Sequence, residues 1–383
     1  MAQWQGAVET VVSAHFSGFY QGRRVVVTGH TGFKGAWLSL WLSHLGARVF
    51  GLGLGPPTEP NLHEITGPGT FESMVECDVQ DFKGVEGALE EQQPEIVFHM
   101  AAQPLVRRSY SSPLETFQTN ALGTANLLEA VRMTEMPCTV IVVTTDKCYQ
   151  NKNQVEGYCE DDPLGGDDVY SMSKAAAELA THAWRKCFFR KSPKLGNVAS
   201  GRAGNVIGGG DYAQDRLVPD SIRALLKGKP IPVRNPAATR PWQHVLDCLS
   251  GYLWLGACVG SAGKESDFDG PFNFGPGQEA HVSVQQAVEK ILEIWPGKWE
   301  RISEGNPPAE AARLNLDISK ATQVLGWKPV WGFDEAIGET VSWYHGRHVQ
   351  KNRAMRAYSL EQIRRYSSAA EKAGMRWARG KAT

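Results

Sequence analysis

Along the first half of the chain, short runs of β-branched residues alternate with longer stretches whose apolar side chains recur every three or four positions. Arg24-Val-Val-Val27, Arg48–Leu52, Ser73–Glu76, Glu95–His99 and Thr139–Val143 predict strands, and Phe33–Leu45, Thr116–Arg132 and Tyr170–Arg190 predict helices. Strand then helix, repeated, predicts an α/β protein whose parallel sheet is doubly wound, since each crossover must lay a helix on one face. Beyond Asn197 the rhythm loosens. Gly208-Gly-Gly210 interrupts it, and helices are expected near Val218–Leu226, Val245–Cys258, Val284–Trp295 and Phe333–Tyr344. Ser283-Val-Gln-Gln286 has the spacing of a capping box, and Asp317 and Gly326 bracket a further short helix.

Bulk properties narrow the possibilities. A chain of 383 residues suits two lobes. Its net charge of −1 leaves no basic excess for a nucleic-acid partner. The seven cysteines are odd in number, scattered and never spaced as CxxC, so neither a disulfide framework nor a metal site is expected, and a reducing compartment is. The first twenty residues lack a continuous apolar core, and the apolar stretch around Gly251–Gly260 is far short of the ~20 residues that span a membrane. A soluble, cytoplasmic protein without a membrane partner is the expectation. From Lys351 the chain carries nine Lys/Arg against two Glu. That tail reads as a solvated helix with a frayed end, or else as a contact for phosphates or another subunit.

Candidate chemistry begins at the end of the first strand. Thr28-Gly-His-Thr-Gly-Phe-Lys-Gly35 places Gly29, Gly32 and Gly35 between a strand and a helix, where small residues let backbone approach a pyrophosphate. The fold expectation is therefore a Rossmann-type sheet binding a dinucleotide, with His30, Thr31, Phe33 and Lys34 completing the loop. Lys34 puts a cation in the first helical turn, against the helix dipole, so it either meets an anion or is solvated. The second strand ends in Gly51-Leu-Gly-Leu-Gly55 without the acid that usually binds ribose, which leaves NAD against NADP unmarked. Asp78 with Val79 could hold the adenine, or Asp78 could cap a loop. Ala101, Ala102 and Gln103 follow the fourth strand with small residues that admit a flat cofactor. Asn120 sits mid-helix, either bonding beside the site or as a simple irregularity.

Tyr170 and Lys174 stand four positions apart on a predicted helix and so share a face, where the ammonium could lower the pKa of the phenol. Thr145, Asp146 and Lys147 follow the fifth strand, supplying an acid and a potential base. Together the two clusters could oxidise an alcohol and eliminate water. In the second half, the segments Arg202–Asp211 and Arg234–His244 combine arginines, an Asn and turns. Arginine forks suit the diphosphate of a nucleotide-sugar, so Asn205, Arg216, Arg234, Arg240 and His244 are the candidate substrate ligands. Trp242 is expected in the core rather than stacked on a base. The organisation expected is an extension (1–20), a cofactor domain (21–195, with segments returning from the C-terminal half), a smaller mixed α/β substrate-binding lobe (196–350) and the basic tail (351–383).

These motifs resemble the extended short-chain dehydrogenase/reductase family and, within it, the CDP-glucose 4,6-dehydratases. The resemblance runs from about Phe19 to Tyr366 and rests on Thr28–Gly35, Thr145–Tyr149, Arg202–Asp211 and Thr239–His244, with Leu316–Lys320 and Gln362–Tyr366 in support. It implies NAD as cofactor, CDP-glucose as substrate and a homodimer or homotetramer, with Thr116–Arg132 and Tyr170–Arg190 forming a four-helix contact. It also implies roles. Tyr170 with Lys174 takes the 4-hydroxyl proton, Thr145 bonds that hydroxyl, Asp146 protonates the departing 6-hydroxyl, and Lys147 stands where dTDP-glucose dehydratases carry a glutamate base. Pro308-Ala-Glu-Ala311 lacks the histidine the family shows before its glutamate, and the first ~18 residues have no counterpart. The rival readings are a UDP-N-acetylglucosamine 4,6-dehydratase, a 4-epimerase and a non-catalytic NAD-sensing protein.

Overall fold

Seven parallel strands form the central sheet of the computed structural model, which describes residues 15–67, 69–303, 314–352 and 354–379. Strands β1 (Arg24–Thr28), β2 (Arg48–Gly53), β3 (Ser73–Glu76), β4 (Ile96–His99), β5 (Thr139–Thr145), β6 (Val198–Ala203) and β7 (Pro271–Phe274) lie in the order β7-β6-β5-β4-β1-β2-β3. Strand order reverses on either side of β1, so the loops leaving β1 and β4 diverge and open a crevice. The five predicted strands are present within two residues of their expected ends. β6 and β7 were not predicted, and both come from the looser half of the chain.

Nine helices of ten or more residues accompany the sheet among the described residues. They are α1 (Phe33–His44), α2 (Phe82–Gln92), α3 (Pro113–Phe117, Gln118–Leu122 and Gly123–Met133 in one run), α4 (Val169–Trp184), α5 (Leu217–Leu226), α6 (Val245–Ser261), α7 (Val284–Ile294), α8 (Phe333–His348) and α9 (Met355–Lys372). Successive strand residues serve opposite layers. Val25 and Val27 join Trp37, Leu38, Leu249 and Leu253 of α1 and α6, while Val26 joins Leu89 of α2 and Leu127 of α3. The Ser283 capping box forms, with Gln286 N donating to Ser283 Oγ at 3.1 Å and Ser283 N donating to Gln286 Oε1 at 2.9 Å. Asp317 accepts from Ser319 N at 2.7 Å, and Gly326 ends that short helix at φ 65°.

The basic tail is not a solvated appendage. Met355, Ser359, Gln362, Ile363, Tyr366 and Ala370 of α9 are buried along one stripe, and the exposed Arg364 and Arg365 lie off it. Beyond α9 the fully buried Trp377 stacks on Phe16, with ring centroids 4.9 Å apart. The N-terminal segment is core as well, since Tyr20 donates to the Leu253 carbonyl at 2.6 Å. All seven cysteines are free, and among the described residues no helix is long and apolar enough to cross a membrane.

Candidate active site

The turn from β1 into α1 is shaped by its glycines. Gly29 has φ +67°, and a Cβ there would lie 2.8 Å from the backbone of Ala101; one at Gly35 would lie 2.2 Å from the Gly29 carbonyl. Gly32 is the N-cap of α1 and gives it no side-chain cap. The chain's own packing thus requires Gly29 and Gly35, while Gly32 leaves bare amides at a positive helix end, which fits a pyrophosphate. Thr31 donates from Oγ1 to the Leu54 carbonyl at 2.9 Å, and Phe33 opens the helix half-buried.

His30 turns inward rather than toward a ligand. Its buried ring fills the space above Gly51, 5.4 Å from His63 and 5.1 Å from Phe71, and burial lowers its pKa to about 4. In this structure it packs as a ring whose protonation burial disfavours. Asp78 accepts from Gln80 N at 2.9 Å, the loop-capping arrangement, and Val79 is buried against Gly123. Ala101 and Ala102 line the end of β4 half-buried, with Ala101 N donating to Thr28 Oγ1 at 3.0 Å.

Gln103 spends its side chain internally, on Thr116 Oγ1 (2.9 Å) and on both backbone groups of Leu105. Asn120 lies where α3 widens into a π turn, Gln118–Leu122. It accepts from Gln103 N at 2.8 Å and donates to Gln103 O and Ser173 Oγ, fastening the loop after β4 to α4. Asn120 thus bonds backbone and marks a helical irregularity at once.

The candidate reactive cluster stands at the end of β5. Thr145 Oγ1 donates to Asp146 Oδ1 at 2.8 Å, and Asp146–Cys148 closes a single 3₁₀ turn. Asp146 is buried, which raises its pKa, against the opposing pull of Lys147, of the Thr145 hydrogen bond and of Lys34. Asp168 caps α4 by accepting from Ser171 N at 2.9 Å, and so fixes Tyr170 in the first turn.

Tyr170 is pushed up to about 12, first by burial and then by the Asp146 charge, with Thr145 and Arg216 opposing. Lys174 is lowered to about 8 by burial and by Lys34, and its Nζ lies 3.4 Å from the Val143 carbonyl. Burial and the Asp146 charge thus outweigh Arg216 at the phenol, contrary to the expected lowering. Lys147 is half-buried beside this group. Lys34 is neither solvated nor remote. Its Nζ sits 3.9 Å from Cys248 Sγ and 6.0 Å from the centre of the Tyr252 ring, and its charge reaches both Asp146 and Lys174. The one sequence signal for that direction was the misfit of a cation with the helix dipole.

The expected substrate ligands fare unevenly. Gly204 is so close that a Cβ would lie 2.8 Å from Asp146 Oδ2, and the exposed Asn205 follows it in the chain. Arg216 pairs with Asp211 at 2.7 Å and its charge is felt at Tyr170. Arg234 and Arg107 both approach Asp215, at 3.0 and 3.6 Å, and Arg240 donates to the Thr239 carbonyl at 2.9 Å. His244 faces inward. It is fully buried, accepts from Leu246 N at 3.2 Å as the N-cap of α6, and meets Trp331 edge-on, with its pKa lowered to about 3 by burial. Trp242 is buried, as expected. Arg202 is buried against Glu178 instead of lying where a diphosphate could reach it. Pro308–Ala311 lies outside the described residues, and among the described ones no cluster of His, Cys, Asp or Glu has the arrangement of a metal site.

A CDP-glucose 4,6-dehydratase of Salmonella typhimurium is 46% identical over 330 residues, covering 85% of this chain and 91% of its own. A dTDP-glucose 4,6-dehydratase of Xanthomonas campestris is 28% identical, covering 83% and 92%. The crystal structure of a Thermus thermophilus UDP-glucose 4-epimerase in complex with NAD superposes with a TM-score of 0.73 at 26% identity, covering 84% of this chain and 99% of the other. A dTDP-glucose 4,6-dehydratase of Bacillus anthracis shares the fold, with a TM-score of 0.69 at 23% identity, covering 85% and 97%. The model of one family, described as GDP-mannose 4,6 dehydratase, matches residues 26–340. The chain belongs to that family, within the extended short-chain dehydrogenase/reductases.

Proposed function

We propose that the chain is a hydro-lyase that converts CDP-glucose to CDP-4-keto-6-deoxyglucose with NAD as a regenerated cofactor. The observation that carries this is the buried Asp146, held toward its protonated form beside Tyr170. That pairing offers an acid for a departing hydroxyl and a phenol for an alcohol to be oxidised. The choice of nucleotide is supported by the 46% identity to the CDP-glucose enzyme.

Gly29, Thr31, Gly32, Phe33 and Gly35, with Val79, Ala101 and Ala102, would hold NAD, which when bound accepts hydride from carbon 4 of the sugar and returns it to carbon 6. Tyr170 Oη takes the 4-hydroxyl proton, with Thr145 Oγ1 orienting that hydroxyl and the Lys174 ammonium stabilising the phenolate. Lys147 Nζ removes the proton from carbon 5, which the new 4-keto group has made acidic, and Asp146 protonates the 6-hydroxyl as it leaves. Water is lost across carbons 5 and 6, and carbon 5 is then reprotonated. Asn205, Arg216, Arg234 and Arg240, all within the 196–350 lobe, grip the nucleotide-sugar. A second copy of the chain covers α3 and α4, a reading supported by the exposed Leu114 (67%) and Leu179 (58%) on two long neighbouring helices.

The test is incubation with NAD and CDP-, dTDP-, UDP- or GDP-sugars, followed by assay for a 4-keto-6-deoxy product. CDP-glucose is expected to react. Turnover of UDP-N-acetylglucosamine alone would overturn the reading.

A further inference from the structure

Beneath Tyr170 and Lys174 lies a carboxylate and guanidinium pair that the dehydration steps leave without a role. Glu178 follows Lys174 by one helical turn on α4, on the same face. Its Oε2 meets Arg202 Nη2 of β6 at 2.8 Å, and both side chains are only 3% exposed. Oε1 accepts from Thr144 Oγ1 at 2.5 Å, one residue before Thr145, and Oε2 accepts from Ser200 Oγ at 2.8 Å. Arg202 Nη1 donates to the Tyr149 hydroxyl at 2.8 Å and to the Glu160 carbonyl at 3.1 Å, and Tyr149 donates onward to Asn273 Oδ1 of β7 at 2.7 Å. One network therefore fastens α4 to the ends of β5 and β6, to the turn after Lys147 and to β7.

Stability alone is a poor account of such a pair, since burying two charges costs about as much as their attraction returns and apolar side chains would pack as well. Its placement is more informative. The charged and titratable groups around Lys174 are Lys34 from α1, His99 from β4, Cys148 from the turn after β5, and Tyr170 and Glu178 on its own helix, while Asp146, Arg216 and Asp168 face Tyr170. Of the groups around Lys174 only Glu178 carries a negative charge at neutral pH, and its ion pair with Arg202 balances it. We propose that Glu178 and Arg202 are joint positioning residues for the Tyr170–Lys174 pair: they pin α4 against β5 and β6 and keep the charge beneath the Lys174 ammonium neutral. The proposal rests on the catalytic reading of Tyr170 and Lys174 given above.

It makes a signed prediction. Removing the carboxylate alone leaves a buried positive charge, which pulls the pKa values of both Lys174 and Tyr170 down. Removing the guanidinium alone leaves a negative charge and pushes both up. The experiment uses the full chain with NAD and the nucleotide-sugar that the wild type turns over, following the pH profile of NADH formation in a single turnover. Glu178→Gln is expected to shift the apparent pKa of hydride transfer down and Arg202→Met to shift it up, each by about one unit. The double variant is expected to return to the wild-type profile. Glu178→Asp keeps the charge but shortens the reach to Thr144 and Ser200, so its rate should fall about tenfold or more with the profile unmoved. Shifts in the same direction in both single variants, or none, would overturn the proposal. If a single variant fails to fold, the same profile with the double variant and Glu178→Asp decides: a displaced profile in either one overturns it. If Tyr170→Phe keeps full activity, it is the catalytic reading that fails. If Tyr170→Phe is inactive and the charge variants leave the profile in place, only the positioning role fails.

Discussion

The Tyr366 hydroxyl, on the C-terminal helix α9, donates a 2.8 Å hydrogen bond to Oδ1 of Asp247 in the first turn of α6. The same oxygen accepts from Val330 N at 2.6 Å, and the Tyr366 hydroxyl also meets Ser250 Oγ at 3.0 Å. Trp327 Nε1 donates to that Ser250 oxygen at 2.9 Å. A segment that reads as a polar tail is in this way tied into the layer that covers one face of the sheet.

Asp247 gives that tie a pH dependence. Burial raises its pKa from 3.8 to about 7. An acid whose pKa is higher folded than unfolded is protonated more readily in the folded chain. Its destabilising effect is therefore absent below the unfolded value and grows as pH rises from about 4 to about 7. Urea denaturation at pH 5 and at pH 8 should find the wild type more stable at the lower pH by this contribution. Asp247→Asn, which keeps an acceptor for Tyr366 and Val330, should lose it. An identical pH difference in the variant would contradict the assignment.

The far end of the tail makes a second prediction. Trp377 is fully buried, stacked on Phe16 and edge-on to Trp41 with centroids 6.0 Å apart. Trp377→Ala should cost about 3–5 kcal/mol of stability, the usual range for emptying a large aromatic site. Arg364→Ala on the exposed side of α9 should cost within about 0.5 kcal/mol. Equal losses in the two would mean that the tail does not pack as described.

What the sequence hid follows from the same physics. β1 and β5 were legible because their apolar runs are continuous, as expected for strands buried on both faces. β6, Val-Ala-Ser-Gly-Arg-Ala, is equally buried, but its Arg202 is neutralised and its Ser200 hydroxyl satisfied by Glu178, a partner 24 and 22 residues away that no local pattern reveals. His244 closes the motif Thr239-Arg-Pro-Trp-Gln-His244 and so reads as a polar position; its burial against Trp331, 87 positions distant, leaves no local mark. The tail was misjudged because charges were counted without their faces. The Tyr170/Lys174 and Thr145–Lys147 clusters stand out in the sequence because each is local, four positions apart on one helix or adjacent at one strand end.

The glycines of the β1–α1 turn separate folding from cofactor binding. Gly32→Ala meets nothing closer than 3.4 Å, whereas Gly35→Ala would drive a Cβ to 2.2 Å from the Gly29 carbonyl. Gly32→Ala should therefore keep its melting temperature within a few degrees while NAD binding, followed by calorimetry, weakens about tenfold or more, since a methyl group would stand where the backbone approaches a phosphate. Gly35→Ala should lower both. Unchanged NAD affinity in Gly32→Ala would remove that turn from the cofactor site.

Lys147 carries the sharpest test of the chemistry. It is half-buried next to Asp146, and the two side chains follow β5 in one 3₁₀ turn that Thr145 caps by accepting from Lys147 N at 3.4 Å. In the proposed mechanism, oxidation at carbon 4 uses Tyr170 and Lys174 but no base for carbon 5, while elimination uses both a base and the Asp146 acid. With CDP-glucose and NAD, Lys147→Ala should therefore still form NADH in a first half-turn but accumulate the 4-keto sugar, its carbon 5 proton failing to exchange with deuterated solvent. Overall turnover should fall about 10²–10⁴-fold, the usual range for removal of a general base. Asp146→Asn should behave differently, keeping carbon 5 exchange while water loss stops, because the base remains and only the acid has gone. Exchange that persists undiminished in Lys147→Ala would assign the carbon 5 base to another group and leave Lys147 with an electrostatic role toward Asp146, whose pKa it already pulls down.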